Sequence, residues 1–151
     1  TITNNVQADF IFSCPPYFDL ETYSKEKDDL SNMDKKSFLE LYNLIIKATV
    51  NQLKENRFAC FVVSEVRNKK DQGKFYGLVP ETINAFENAG LSFYNEAILL
   101  NNMGSLPVRA GRQFRTTRKL GRAHQNVLIF VKGDVEKAVE YLGEPEGATE
   151  I

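Results

Sequence analysis

The sequence predicts an α/β domain built on a mostly parallel sheet, and three observations carry that expectation. Apolar runs of strand length alternate with segments of helical period. The run Arg57 to Val63 (Arg-Phe-Ala-Cys-Phe-Val-Val) is almost continuously apolar, as a strand covered on both faces must be. The first connections between strands are long enough to hold a crossover helix, which a parallel pair requires.

The elements follow in order. Ala8-Asp-Phe-Ile-Phe-Ser13 is a short apolar strand that Cys14-Pro15-Pro16-Tyr17 stops, because proline fixes φ and supplies no N–H to a ladder. Phe18 to Met33 is polar and without period, so a mobile loop is expected. Ser31 or Asp34 can cap the helix after it, in which Phe38, Leu41, Tyr42, Ile45, Ile46, Thr49, Val50 and Leu53 recur at three- and four-residue spacing. The strand Arg57 to Val63 comes next, and then a charged loop from Ser64 to Gly77. Pro80 lies in the first turn of a second helix with the stripe Val79, Ile83, Phe86 and Ala89, and Gly90 ends it in a left-handed conformation. Ser92 to Leu100 is a strand, Asn101 to Ala123 a long loop, and His124 to Lys132 the last strand. Asp134 to Leu142 is a short helix before a tail that frays. The first three strands should be parallel, right-handed units, and the last two an antiparallel pair at the sheet edge.

Composition bounds the rest. At 151 residues, 42% hydrophobic and 26% charged, the chain is one domain or a piece of one, of ordinary globular make-up. No run of about eighteen apolar residues occurs, and the opening stretch holds Asp9, Pro15, Pro16 and Asp19 without a basic start. Neither a membrane span nor a secretory signal is expected. Cys14 and Cys60 have no ligand-like spacing to another Cys or His and read as reduced thiols of a cytoplasmic protein. The net charge of −1 hides an asymmetry: no Asp or Glu lies between Ala97 and Gly133, whereas Arg109, Arg112, Arg115, Arg118, Lys119, Arg122 and Lys132 give +7. The remainder, with 12 basic and 20 acidic residues, carries −8. A segregated basic block favours a polyanionic partner over a merely solvated surface, which mixes its signs.

An apolar strand ending in Pro-Pro-Tyr, two helix-strand units and a closing strand pair together resemble the carboxyl-terminal half of S-adenosylmethionine-dependent amino-methyltransferases acting on DNA. Their motif is Asp, Asn or Ser before Pro-Pro-Tyr or Pro-Pro-Phe; here it is Cys14-Pro15-Pro16-Tyr17, with Ser13 one place earlier. Ser105 to Phe114 (Ser-Leu-Pro-Val-Arg-Ala-Gly-Arg-Gln-Phe) and Lys119 to Gly133 look like segments of phage and mobile-element DNA methylases. The resemblance implies a Rossmann-like, three-layer methyltransferase fold, with residues 1 to 133 as the carboxyl-terminal half of the domain and 134 to 151 as a short helix and tail. It implies methyl transfer from S-adenosylmethionine to an exocyclic amine of adenine or cytosine, without distinguishing adenine N6 from cytosine N4, or DNA from RNA. Ser13, Cys14, Pro15, Pro16 and Tyr17 would form the catalytic corner. Acceptors before the prolines would hold the amine, and Tyr17 would stack on a base flipped out of the duplex. Arg109, Arg112, Arg115, Arg118, Lys119 and Arg122, spaced along an extended loop 104 to 122, would track DNA phosphates. The alternative is a non-catalytic nucleic-acid-binding module using that same loop.

Two departures from the pattern matter. Cys14, a poor acceptor, stands where the family has Asp, Asn or Ser, so Ser13 or the Cys14 carbonyl takes that part. The family's methyl donor sits on a Gly-rich turn after a first strand, with an acidic residue after the second, and no segment here resembles that turn. The chain is therefore expected to be a fragment, inactive alone, with most of the cofactor site outside it and one flank of the first strand open to self-association. His124, the single histidine, reads as structural, and no metal site is expected. Glu65, after the Phe61 to Val63 run, is placed to face a cleft at the strand's carboxyl end.

Overall fold

The computed structural model describes residues 7–18, 24–26, 29–68 and 71–146. They form a mixed α/β unit in the order β1 (Ala8–Ser13), α1 (Lys35–Gln52), β2 (Leu53–Val63), α2 (Leu78–Asn88), β3 (Leu91–Leu100), α3 (Leu106–Thr117), β4 (His124–Lys132) and α4 (Val135–Leu142), with a single 3-10 turn at Leu30–Asn32. The sheet order is β1-β2-β4-β3. β1 and β2 are parallel, with Ile11 opposite Ala59 and Phe12 opposite Cys60. β4 enters between β2 and β3 and runs antiparallel to both. The expected antiparallel pairing of the last two strands is present, and β1, β2 and β3 do point the same way. β3 nevertheless does not neighbour β2, because β4 lies between them.

Side-chain alternation makes one sheet face the core. Ile11, Ala59, Phe61, Val63, Leu128 and Phe130 share it and pack with Phe38, Tyr42, Ile46 and Val50 of α1 and Leu78, Ala85 and Phe86 of α2. Phe86 lies flat on Phe130 at 4.1 Å between centroids and meets the edge of Phe61 at 4.7 Å. Tyr42 and Thr82 share a buried 3.0 Å hydrogen bond across the two helices. Burial pushes the Tyr42 phenol up to about 12, the bond to Thr82 opposing it. On the other face Phe10 and Phe12 are 56% and 66% exposed, and among the described residues β1 has no partner on its outer flank.

Local chemistry sets the ends of the elements. The Asp34 carboxylate accepts from the Lys36 and Ser37 N–H groups and starts α1; Ser31 instead lies buried in the 3-10 turn. β2 follows α1 without a loop and begins at Leu53. Gly90 has φ +96, the left-handed stop its position suggested. Phe18 corrects the expectation of a loop from Phe18 to Met33. It is 2% exposed and stacks between Phe38 at 4.0 Å and Tyr76 at 4.4 Å, so it belongs to the core. The middle of that loop, 19–23 and 27–28, lies outside the described residues, as do tail positions 147–151. At the amino end of the sheet, Asp9 is held below the usual carboxylate range, first by the hydrogen bond that Lys54 donates at 2.8 Å and further by Arg57. Ala138 buries α4 against the same region, and Tyr141 lies under the Arg57 guanidinium at 3.1 Å.

Phe86→Ala is expected to cost about 3–5 kcal/mol, since it removes a ring enclosed by Phe61 and Phe130, whereas Val108→Ala on exposed α3 stays within about 0.5 kcal/mol; urea denaturation measures both. The Tyr42 phenol is raised in the fold, so stability is full below pH 10 and declines as pH rises towards 12. Tyr42→Phe should remove about 2–3 kcal/mol of that alkaline decline, read from denaturation at each pH.

Candidate active site

The carboxyl ends of β1, β2 and β3 and the start of β4 lie along one edge of the sheet, where ligands of open α/β sheets bind. A cavity of about 400 Å3 opens there, lined by Tyr17, Ser64, Glu65, Val66, Arg67, Asn101 and Gln125. That volume falls within the range of small-ligand pockets.

The Pro-Pro corner delivers two rings in opposite senses. Phe18, at φ +52, enters the core. Tyr17 crosses to the cavity, where its hydroxyl donates to Gln125 Oε1 at 2.7 Å and lies 3.2 Å from the Val62 carbonyl oxygen and from Cys14 Sγ. Gln125 Nε2 in turn donates to Asn101 Oδ1 at 3.2 Å. One polar chain thus ties β1, β4 and the end of β3 across the mouth, fixing the ring's orientation at the cavity wall. Cys14 is exposed beside it; Ser13 is half-buried and pairs in register with Phe61. Cys60 lies inside β2, where burial pushes its thiol up and away from reactivity.

Glu65 does line the cavity, but its carboxylate is committed. Oε2 accepts from the Gly77 and Leu78 N–H groups at 3.1 and 3.2 Å, and Oε1 from Val79 at 3.0 Å. Gly77, at φ +84, has no side chain with which to cap α2, so a carboxylate from the end of β2 occupies the helix's positive end. This bond set holds the β2 end and α2 in one position.

The basic block departs from its expected form. Leu106–Thr117 is the helix α3, with Pro107 in its first turn, rather than part of an extended loop. The three-residue spacing therefore gathers Arg109, Arg112 and Arg115 on one exposed side. Leu106, Ala110 and Phe114 form the opposite stripe. Arg118, at φ +57, ends the helix, its Nη1 donating to the Phe114 and Arg115 carbonyl oxygens. Lys119 lies over the buried Gly73, and Arg122 donates to the His124 carbonyl oxygen and to Asn126 Oδ1. Arg109, Arg112 and Arg115 face solvent on α3, whereas Arg118 and Arg122 turn towards a second cavity beside the first. Sequence inspection passed over Arg67, Asn101 and Gln125, since nothing but the approach of separate strand ends brings them together. Among the described residues no cluster of three His, Cys, Asp or Glu side chains could hold a metal ion, and no helix is long and apolar enough to cross a membrane.

Glu65→Ala should lower stability by about 1–2 kcal/mol through loss of the α2 cap, with Glu65→Gln recovering part of it, because one acceptor oxygen remains; urea denaturation of the pair measures the difference.

No protein-family model and no curated protein matches the sequence. Several solved structures do match it. A protein of Thermus thermophilus described as a DNA modification methylase superposes with a TM-score of 0.61 at 13% identity, over 87% of this chain and 49% of that one. The same protein complexed with S-adenosyl-L-methionine gives 0.59 at 12% identity, over 87% and 49%. The PvuII DNA methyltransferase, cytosine-N4-specific, gives 0.57 at 14% identity, over 92% and 49%. The chain spans about half the length of each of these proteins, and over that half it has their fold.

Proposed function

We propose that this chain is the base-holding half of a methyltransferase that transfers a methyl group from S-adenosylmethionine to an exocyclic amine of adenine or cytosine in DNA. The observation that carries the reading is the Pro-Pro-Tyr corner at the carboxyl end of β1, opening on a cavity where the Tyr17 ring is held by its own hydroxyl. Likeness of fold to DNA methyltransferases supports the reaction class.

The corner's geometry suits an amine acceptor. A sulfonium donor supplies an activated methyl and needs little acid-base assistance, so the protein's task is to aim the amine lone pair. Tyr17 offers a ring for a flipped base to lie on, and a stacked base is worth about 1–3 kcal/mol. The Cys14 carbonyl or Ser13 takes the amine's N–H groups, which draws the lone pair out of conjugation with the ring. Cys14 Sγ is too weak an acceptor for that task.

The residues present do not themselves make a cradle for the donor. Among the described residues no Gly-rich turn follows a strand, and the Glu65 carboxylate is already committed to α2. The donor's site and a third layer covering Phe10 and Phe12 belong in this reading to further polypeptide paired on the open flank of β1. Without that cover the chain is expected to self-associate, and Phe12→Asp should return it to a monomer in sedimentation.

The exposed basic side of α3 supports contact with the DNA backbone. Mass analysis of nucleosides from DNA treated with the whole protein and S-adenosylmethionine tests the proposal. N6-methyladenine or N4-methylcytosine is expected, with a loss of at least tenfold in Tyr17→Ala. Undiminished transfer by that variant removes Tyr17 from the site. DNA binding without any methylated nucleoside would favour the binding-module alternative, in which α3 acts alone.

A further inference from the structure

The second cavity, of about 540 Å3, shares Glu65 and Arg67 with the first and is otherwise lined by Phe75, Arg118, Leu120, Gly121, Arg122 and His124. Its charge is one-sided. The single carboxylate on its wall is Glu65, both of whose oxygens already accept from α2. Arg67, Arg118 and Arg122 form no ion pair among the described residues, unlike Arg57, which has Asp9. The His124 ring has no hydrogen-bond partner among them either.

Each guanidinium is also pre-oriented. Arg67 donates Nη1 to the Gly73 carbonyl oxygen at 2.9 Å and lies over the Phe75 ring at 4.1 Å. Arg122 is held through Nε by the His124 carbonyl oxygen at 3.2 Å and through Nη2 by Asn126. Arg118 is held through Nη1 at the end of α3. A guanidinium carries five N–H donors, so every one of the three retains donors beyond its tethers. Lys119 lies over Gly73, between the 71–73 turn and the end of α3. Three tethered cations with spare donors, an imidazole and no free carboxylate make an anion receptor rather than a solvated surface.

We infer that this cavity binds a phosphodiester of the substrate strand, with Arg67, Arg118, Arg122 and His124 gripping the phosphate next to the nucleotide whose base lies against Tyr17. The inference rests on the proposed base-holding role, because Arg67 lines both cavities and sets phosphate and base side by side. It separates the basic residues into two classes: Arg109, Arg112 and Arg115 on the outer side of α3 supply unspecific attraction, while the cavity residues fix the nucleotide's position.

The test is an NMR titration of the 151-residue chain, following arginine Nε–Hε, His124 ring and Tyr17 ring signals. The probes are inorganic phosphate, the dinucleotides d(ApA) and d(CpC), and their uncharged methylphosphonate analogues. The phosphodiester dinucleotides should move Arg67, Arg122, His124 and Tyr17 together, and the methylphosphonates should bind roughly five- to tenfold more weakly. That ratio should collapse towards one in Arg67→Gln and in Arg122→Gln, either variant sufficing if the other perturbs the fold, and should persist in Lys137→Gln on the exposed side of α4. Equal binding of charged and uncharged dinucleotides by the native chain, or shifts confined to α3, would overturn the inference. Inorganic phosphate binding as tightly as the dinucleotides, with Tyr17 unmoved, would overturn it too, leaving a free-anion site. Absence of methylated nucleosides in the transfer assay, with the dinucleotide shifts intact, would instead remove the methyltransferase reading and leave the phosphodiester site standing.

Discussion

Just past the two prolines that end β1, neighbouring rings point in opposite directions, and the geometry of the cavity depends on that division. Phe18 takes the left-handed conformation that an ordinary side chain rarely adopts, and the strain is offset by a stack between Phe38 and Tyr76 deep in the core. Tyr17, one residue earlier, is thereby turned to the sheet edge, where Gln125 holds its hydroxyl. Anchoring one ring in the core is what makes the other a fixed wall.

On the opposite side of the cavity, too, one contact serves both fold and site. Glu65 lines the same cleft, and its carboxylate oxygens are turned to three N–H groups at the start of α2. The residue that locks β2 to α2 forms no ion pair with Arg67, Arg118 or Arg122, which line the neighbouring cavity with it. β4, entering antiparallel between β2 and β3, brings Gln125 and His124 to the edge where the parallel strands end. A β4 at the outer edge would have put both out of reach of Tyr17.

Much of this is legible in the amino-acid sequence, and what is not has physical causes. α1 is plain because Phe38, Tyr42, Ile46 and Val50 bury one stripe over about three turns. The Pro-Pro stop and the left-handed Gly90 are plain because their backbone needs are local. The helix α3 is hidden: Gly111 within it costs about 1 kcal/mol, and its apolar stripe is only Leu106, Ala110 and Phe114. The insertion of β4 and the capping of α2 by Glu65 rest on contacts between distant segments, to which no sequence period corresponds. The corner itself can be found, but not its hydrogen bond to Gln125, nor the arginine at the junction of the two cavities.

The proposed function amounts to a division of labour, in which this chain would hold the acceptor base and the strand beside it while the methyl donor is held elsewhere. Calorimetric titration of the 151-residue chain, with S-adenosylmethionine in one experiment and d(ApA) or d(CpC) in another, tests that division most directly. Measurable dinucleotide binding that weakens with salt is predicted, together with no micromolar binding of S-adenosylmethionine. Micromolar binding of S-adenosylmethionine, with none of the dinucleotides, would contradict it.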